Sequence, residues 1–161
     1  MPAETAPVLD VMLGKLATYL RMGGYDTVYA LDRGIEDDDA LVRLAREEAR
    51  VLITRDVELA RRTPESILLH TREVDAQLAE LLDAGFTLSL TDPTRCSRCN
   101  GPLRRIGSEE KTPDFAPAPD ERAVWRCVEC GQPFWRGSHW QDVETTLESV
   151  HERAGETYRY D

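Results

Sequence analysis

The chain has 161 residues, a formal net charge of −10 and no apolar run near the roughly 20 residues of a membrane span, so it suits one α/β domain, or a small domain plus a metal-held module. Residues 1–7 lack the basic start and apolar run of a secretory signal, and a cytoplasmic protein with no membrane partner is expected. Such acidity argues against a plain electrostatic nucleic-acid binder, because phosphate contacts need local positive charge.

The first informative stretch is Val8-Leu9-Asp10, a short apolar run ending in a carboxylate. Met12, Leu13, Leu16, Tyr19 and Leu20 come after it at helical spacing, which predicts a helix with that face packed and with Lys15 and Arg21 nearer solvent. At such a strand–helix junction Asp10 either caps the helix, an effect of about 1 kcal/mol, or stands at the rim where parallel sheets bind ligands. Gly23-Gly24 ends the helix, and Asp26–Ala30 reads as a second strand.

Leu31–Glu36 reads as a loop, and Asp37-Asp38-Asp39 opens a helix over Ala40–Ala49 whose inward positions are Leu41, Leu44 and Ala45. Val51-Leu52-Ile53 is a third strand. Thr54-Arg55-Asp56 then repeats the opening order of strand, carboxylate and helix, here Val57–Arg62, stopped by Pro64. Ser66–His70 is a fourth strand, and Val74, Leu78, Leu81 and Leu82 mark a helix running to about Ala84. Phe86–Leu90 is either a last strand or an extended lead into the cysteine-bearing module. Alternating strands and helices predict an α/β fold with a mainly parallel sheet. At about 90 residues the unit is small, so the sheet is expected to need a neighbour or a second copy, and a homodimer is one expectation.

Cys96-x-x-Cys99 and Cys127-x-x-Cys130 are separated by 27 residues, and each is followed closely by glycine. Four thiolates at this spacing suit one tetrahedral, closed and therefore structural Zn²⁺. A redox dithiol needs one such pair at a helix start beside a βαβ unit instead. Residues 1–92 carry 18 acidic and 10 basic side chains, residues 93–161 carry 12 and 10, and Arg95, Arg98, Arg104 and Arg105 fall within Pro93–Ser108, which has no acid. A basic patch is thus expected on the cysteine module. The loop Lys111–Asp120 is proline-rich, Ala123–Arg126 reads as a strand, and Gln141–Ala154 reads as a helix with Val143, Leu147 and Val150 on one stripe. In Trp135-Arg136-Gly137-Ser138-His139-Trp140 the tryptophans can stack bases or fasten the module to the sheet domain, and packing is the preferred reading. His139 has no nucleophile partner visible in the sequence.

Asp10 and Asp56 both come directly after apolar strands, and Asp38 heads the helix between them. Right-handed crossovers deliver all three to one end of the sheet. Clustered carboxylates repel unless a cation neutralises them, and an all-oxygen set suits Mg²⁺ or Mn²⁺, which can activate water against a phosphodiester. Each acid also has a plain helix-cap reading.

Leu9-Asp10-x-Met12-Leu13-Gly14-Lys15-Leu16-Ala17, Leu52-Ile53-Thr54-Arg55-Asp56, Arg95-Cys96-x-x-Cys99-Asn100 and Cys127-x-x-Cys130-Gly131-x-x-x-Trp135-x-Gly137-Ser138-His139-Trp140 together resemble the Mut-seven C-terminal ribonuclease family. The resemblance implies a PIN-like nuclease domain, here residues 1–90, followed by a zinc ribbon with a C-terminal helix, residues 91–161. It implies metal-dependent cleavage of RNA, with Asp10, Asp38 and Asp56 as catalytic Mg²⁺ or Mn²⁺ ligands. Cys96, Cys99, Cys127 and Cys130 match the zinc ligands. PIN nucleases generally use an additional acid, for which Asp39, Glu58 and Asp92 are candidates. Lys15, Arg21 and Arg55 flank the acids and, with Arg95, Arg98, Arg104 and Arg105, are candidate RNA contacts, salt bridges being the alternative for the first three. The rival reading is a non-catalytic RNA- or protein-binding module on the same scaffold, and a weaker one is a small-phosphoester phosphatase.

Overall fold

The structure, a computed structural model, describes residues 5–155. Four parallel strands, β1 (Pro7–Leu9), β2 (Val28–Tyr29), β3 (Val51–Thr54) and β4 (Ser66–Leu68), form one sheet in the order β2-β1-β3-β4. Because successive strand residues face opposite sides, Val8 and Leu52 enter one core while Leu9 and Ile53 enter the other. Helices α2 (Asp38–Glu47) and α3 (Val57–Arg62) cover the first side through Leu41, Leu44, Ala45 and Leu59. Helices α1 (Gly14–Met22) and α4 (Val74–Asp83) cover the second through Leu16, Leu20, Leu78 and Leu81. Each fully buried leucine of this kind contributes about 1.5–3 kcal/mol.

Two details of the first helix depart from its simple periodicity. Val11–Leu13 forms a separate 3-10 turn before α1, and at three residues per turn Met12 swings outward to 75% exposure. Arg21, expected nearer solvent, is buried at 3% exposure. Its charge is accommodated because Nε donates to the carbonyl of Thr27 at 3.0 Å, Nη1 to that of Ser97 at 3.1 Å and Nη2 to the Asp32 carboxylate at 3.1 Å.

The segment 86–90 is the extended lead and not a strand. Phe86, Leu88 and Leu90 are buried in the second core, and side chains hold its backbone: the Tyr25 hydroxyl donates to the Thr87 carbonyl and accepts from the Thr87 amide, both at 3.0 Å. Beyond it, β5 (Leu103–Arg105), β6 (Trp125–Cys127) and β7 (Pro133–Phe134) make an antiparallel sheet in the order β5-β6-β7 that carries the cysteine turns. The last helix, α5 (Ser138–Arg153), begins three residues earlier than its apolar stripe suggested. It lies on α4, and its Val143, Leu147 and Val150 join the second core. The sheet's neighbour is therefore a helix of the same chain. Among the described residues no helix is long and apolar enough to cross a membrane.

The cysteine-bearing sheet is fixed to the parallel one by polar bonds. Besides Arg21 on Ser97, the Thr27 amide donates to Asn100 Oδ1 at 2.9 Å and Asn100 Nδ2 donates to Asp26 Oδ1 at 2.8 Å. Burial would raise the Asp26 carboxyl, but the Asn100 bond and the guanidinium groups of Arg50 and Arg95 hold it below the usual carboxylate range. Replacing Arg21 by Met leaves two carbonyls and a carboxylate without their donor. The expected cost is about 2–3 kcal/mol, read as a lower urea midpoint of the zinc-loaded protein, and an unchanged midpoint would contradict this role.

Candidate functional site

The strand order reverses between β1 and β3, since the chain passes from β1 outward to β2 and returns on the other side of β1. Ligands of open parallel sheets bind beyond the carboxyl ends of strands at such a switch point, and here those ends carry Asp10 and Thr54-Arg55-Asp56. Asp10 extends the ladder by donating its amide to the Ile53 carbonyl at 3.2 Å. Its Oδ1 accepts from the Val11 amide at 2.8 Å, and its Oδ2 accepts from the Thr54 hydroxyl at 2.9 Å. That same hydroxyl accepts from the Asp56 amide at 3.0 Å. One fully buried threonine thus ties the Asp10 side chain to the Asp56 backbone.

Asp56 also caps α3, with Oδ1 accepting from the amides of Glu58 at 2.9 Å and Leu59 at 3.1 Å. Its Oδ2 accepts no hydrogen bond among the described residues. Asp37 takes the cap of α2, accepting from the Ala40 amide at 3.3 Å, which leaves the exposed Asp38 carboxylate without a hydrogen-bonded partner among the described residues. No hydrogen bond links Asp38 to Asp10 or Asp56, and the three carboxylates do not form a set sharing common ligand spacing. The donors at this edge are oxygens, which suit a hard divalent cation.

The three candidates for an additional acid are all engaged elsewhere. Asp39 pairs with Arg62, Glu58 with Arg61 at 3.0 Å, and Asp92 with Arg136. Asp32, in the segment read as a plain loop, is engaged too, pairing with buried Arg21 at 3.1 Å, and its charge acts with that of Asp10 on the Tyr29 phenol. Burial first, then the negative charges of Asp32 and Asp10, push that phenol above its ordinary value and keep it neutral. Its hydroxyl donates to the Val11 carbonyl, beside Asp10. A Cβ on Gly14 would sit 3.0 Å from this hydroxyl, so glycine there lets the phenol approach the turn. Thr54 and Tyr29 escaped the sequence reading. The available signal for Thr54 was a hydroxyl at the buried end of an apolar strand, one residue short of the repeated carboxylate motif.

The second centre is formed by Cys96, Cys99, Cys127 and Cys130, whose sulfurs all lie within 4.8 Å of one another. The Cys96–Cys130 and Cys99–Cys127 Sγ separations are 3.6 and 3.5 Å, close to the roughly 3.8 Å edge of a tetrahedron with Zn–S bonds of about 2.3 Å. Amides of Cys99, Gly101, Glu129 and Cys130 each point at a sulfur at 3.4 Å. Burial pushes the Cys96 thiol up. At Cys127 burial is outweighed by the Cys130 and Glu129 amides and the neighbouring thiols, and the thiol falls to about 7. A Cβ on Gly101 would lie 2.8 Å from the Cys127 sulfur, so only glycine fits inside this turn. Four converged thiols with amide donors fit one structural Zn²⁺.

The family model of the Mut7-C RNAse domain matches residues 7–147. The chain belongs to that family. No curated protein and no solved structure matches it. Membership gives the Mut7-C domain a ribonuclease-type function, and the match spans both the acidic sheet edge and the cysteine centre.

The arginines of this Mut7-C domain separate into distinct groups. Arg21 is buried and committed to joining the two sheets, and Arg104 is clasped by both carboxylate oxygens of Glu110 at 3.1 and 2.7 Å. Arg95 donates to the Asn100 carbonyl and lies 3.9 Å from Asp26. Arg105 rests on the Trp125 ring, and exposed Arg98 bonds the neutral Gln132 side chain with no ion pair among the described residues. Arg55, between Thr54 and Asp56, has a buried Nε without a hydrogen-bond partner, and Lys15 is exposed in the first turn of α1. Since ligation needs thiolates, zinc affinity should fall with falling pH. Gly101→Ala is expected to lower the zinc affinity at least about tenfold, measured by chelator competition, and wild-type affinity in that variant would contradict the packing described.

Proposed function

We propose that this domain hydrolyses RNA phosphodiester bonds at the β1/β3 edge, with the carboxylates of Asp10, Asp38 and Asp56, which stand apart in the structure, closing on Mg²⁺ or Mn²⁺ when it binds. The observation that carries the reading is the Thr54 hydroxyl, which donates to Asp10 Oδ2 while accepting from the Asp56 amide at the switch point of the sheet. A cation bound there would polarise the phosphodiester and lower the pKa of a water molecule. Thr54 orients Asp10. The α3 cap occupies one oxygen of Asp56 and leaves the other for ligation, and Asp37 frees Asp38 by taking the α2 cap. Lys15 and Arg55 offer positive charge to the scissile phosphate, and Arg95, Arg98 and Arg105 on the zinc ribbon offer it to the flanking strand. Asp38 and Asp56 are solvent-exposed, and an open edge admits an internal phosphodiester, which supports endonucleolytic cutting. Free thiols and a zinc-held ribbon suit the reducing cytoplasm.

Incubation of circular single-stranded RNA with the zinc-loaded protein and Mn²⁺ tests this. Linearisation is expected with the wild type, with loss of at least about 100-fold in Asp10→Asn and in Asp56→Asn. Thr54→Val, which removes only the orienting hydroxyl, is expected to cut roughly 10- to 100-fold more slowly. Cleavage at the wild-type rate in both aspartate variants would overturn the assignment, and RNA binding with no cleavage would favour a non-catalytic module.

A further inference from the structure

A cavity of about 440 Å³ lies outside the acidic edge, where the ribbon meets α1 and α5. Its walls are aromatic and apolar, including Met22, Phe134, Trp135 and Trp140, and Arg95 and Arg98 lie on its lining. Two features suit it to a flat ring. Phe115, carried on the proline-rich loop between the cysteine pairs, is 66% exposed and lines this cavity. It faces Trp135 with ring centroids 6.4 Å apart and planes 40° from parallel. Bases repeat at about 3.4 Å along a stacked strand, so two rings clasping one base stand roughly 7 Å apart. To hold a base the tilted pair would have to turn toward parallel.

The Trp135 ring is held in place by a missing side chain. An added Cβ on Gly137 would lie 2.5 Å from Trp135 Nε1 and 3.0 Å from its Cδ1, so the indole lies across a turn that only glycine leaves open. The other tryptophans are occupied: the Arg136 guanidinium stands 5.6 Å from the Trp125 ring and 5.5 Å from the Trp140 ring, and Trp140 packs on the core. Trp135 and Phe115 pair with each other on the cavity wall and carry no guanidinium.

The charge and the path favour RNA over an apolar peptide. On a chain of net charge −10, Arg98 bonds the neutral Gln132 side chain and has no ion pair among the described residues, while Arg95 lies 3.9 Å from Asp26. Arg98 also lines a second cavity of about 380 Å³ that reaches Arg33, Asp32 and Tyr29, and Tyr29 bonds the carbonyl of the residue beside Asp10. A cationic side chain shared by two cavities therefore leads from the aromatic pair to Tyr29, next to the turn that follows Asp10. We propose that the cavity between Phe115 and Trp135 takes one unpaired base of the RNA substrate, with Arg95 and Arg98 contacting its flanking phosphates. This rests on the ribonuclease reading for its substrate class, yet it predicts binding independently of cleavage.

Fluorescence anisotropy of a labelled single-stranded oligoadenylate, with zinc-loaded protein in buffer lacking Mg²⁺ and Mn²⁺, tests the proposal. Phe115→Ala, at an exposed loop position, and Gly137→Ala, which displaces Trp135, should each weaken binding roughly tenfold, about one base–aromatic stack, with zinc content and circular dichroism unchanged. The same strand annealed to its complement should bind more weakly than the single strand. Unchanged affinity in both variants, or equal affinity for the duplex, would overturn the clasp and leave the cavity to a protein partner. Such a result alongside Mn²⁺-dependent cleavage by the wild type would sink the clasp alone, whereas variant-sensitive binding by a protein that never cleaves RNA would sink the nuclease reading alone.

Discussion

The hydroxyl of Thr54 is the smallest group on which the most depends. It sits at the end of β3 with no exposure to solvent, so its donor and its acceptor capacity must both be met inside the protein. It meets them with two residues more than forty positions apart in one case and two apart in the other: the Asp10 carboxylate and the Asp56 amide. Such a bond fixes the relative position of two strand ends more sharply than apolar packing does, because hydrogen-bond strength falls steeply with distance and angle. The two strands are paired neighbours with Leu9 opposite Ile53, and the acids emerge just past that register.

A second constraint is the attachment of the zinc module. The ribbon of three short strands buries Ile106, Val124 and Trp125 beside its cysteines, and a zinc ion on the four thiols would add to that internal order. The ribbon's orientation comes from Arg21, Asp26 and Asn100, which bond across to Ser97, Thr27 and each other. Burying Arg21 would be costly without those partners, so its burial indicates that the relative placement of the two parts is specified. α5 reinforces it by leaving the ribbon at Gly137 and packing on α4 in the second core. The acidic edge and the cysteine-bearing ribbon are thereby held in one frame.

Much of this was legible in the sequence, for identifiable physical reasons. The parallel sheet followed from apolar strands alternating with helical stripes, the capping roles of Asp37 and Asp56 from their position before helices, and the cysteine cluster from ligand spacing. The features that escaped depended on side-chain commitments across long separations. Arg21 looked solvated because periodicity cannot see the carbonyl of Ser97, 76 residues away. Met12 looked buried because the turn before α1 is 3-10 instead of α-helical. Asp32 was hidden in a segment with no regular pattern, and Thr54 was passed over beside a more conspicuous aspartate. The paired tryptophans divided their duties, Trp140 fastening and Trp135 facing an open cavity, which a six-residue motif cannot specify.

We propose that Asp10 and Asp56, tied side chain to backbone through Thr54, jointly bind a hard cation. Calorimetric titration of Mn²⁺ into the zinc-loaded protein addresses it without reference to any substrate. A site that disappears in Asp10→Asn and in Asp56→Asn, and that weakens roughly 10- to 100-fold in Thr54→Val, is the predicted outcome. An isotherm identical in the wild type and both aspartate variants would contradict it.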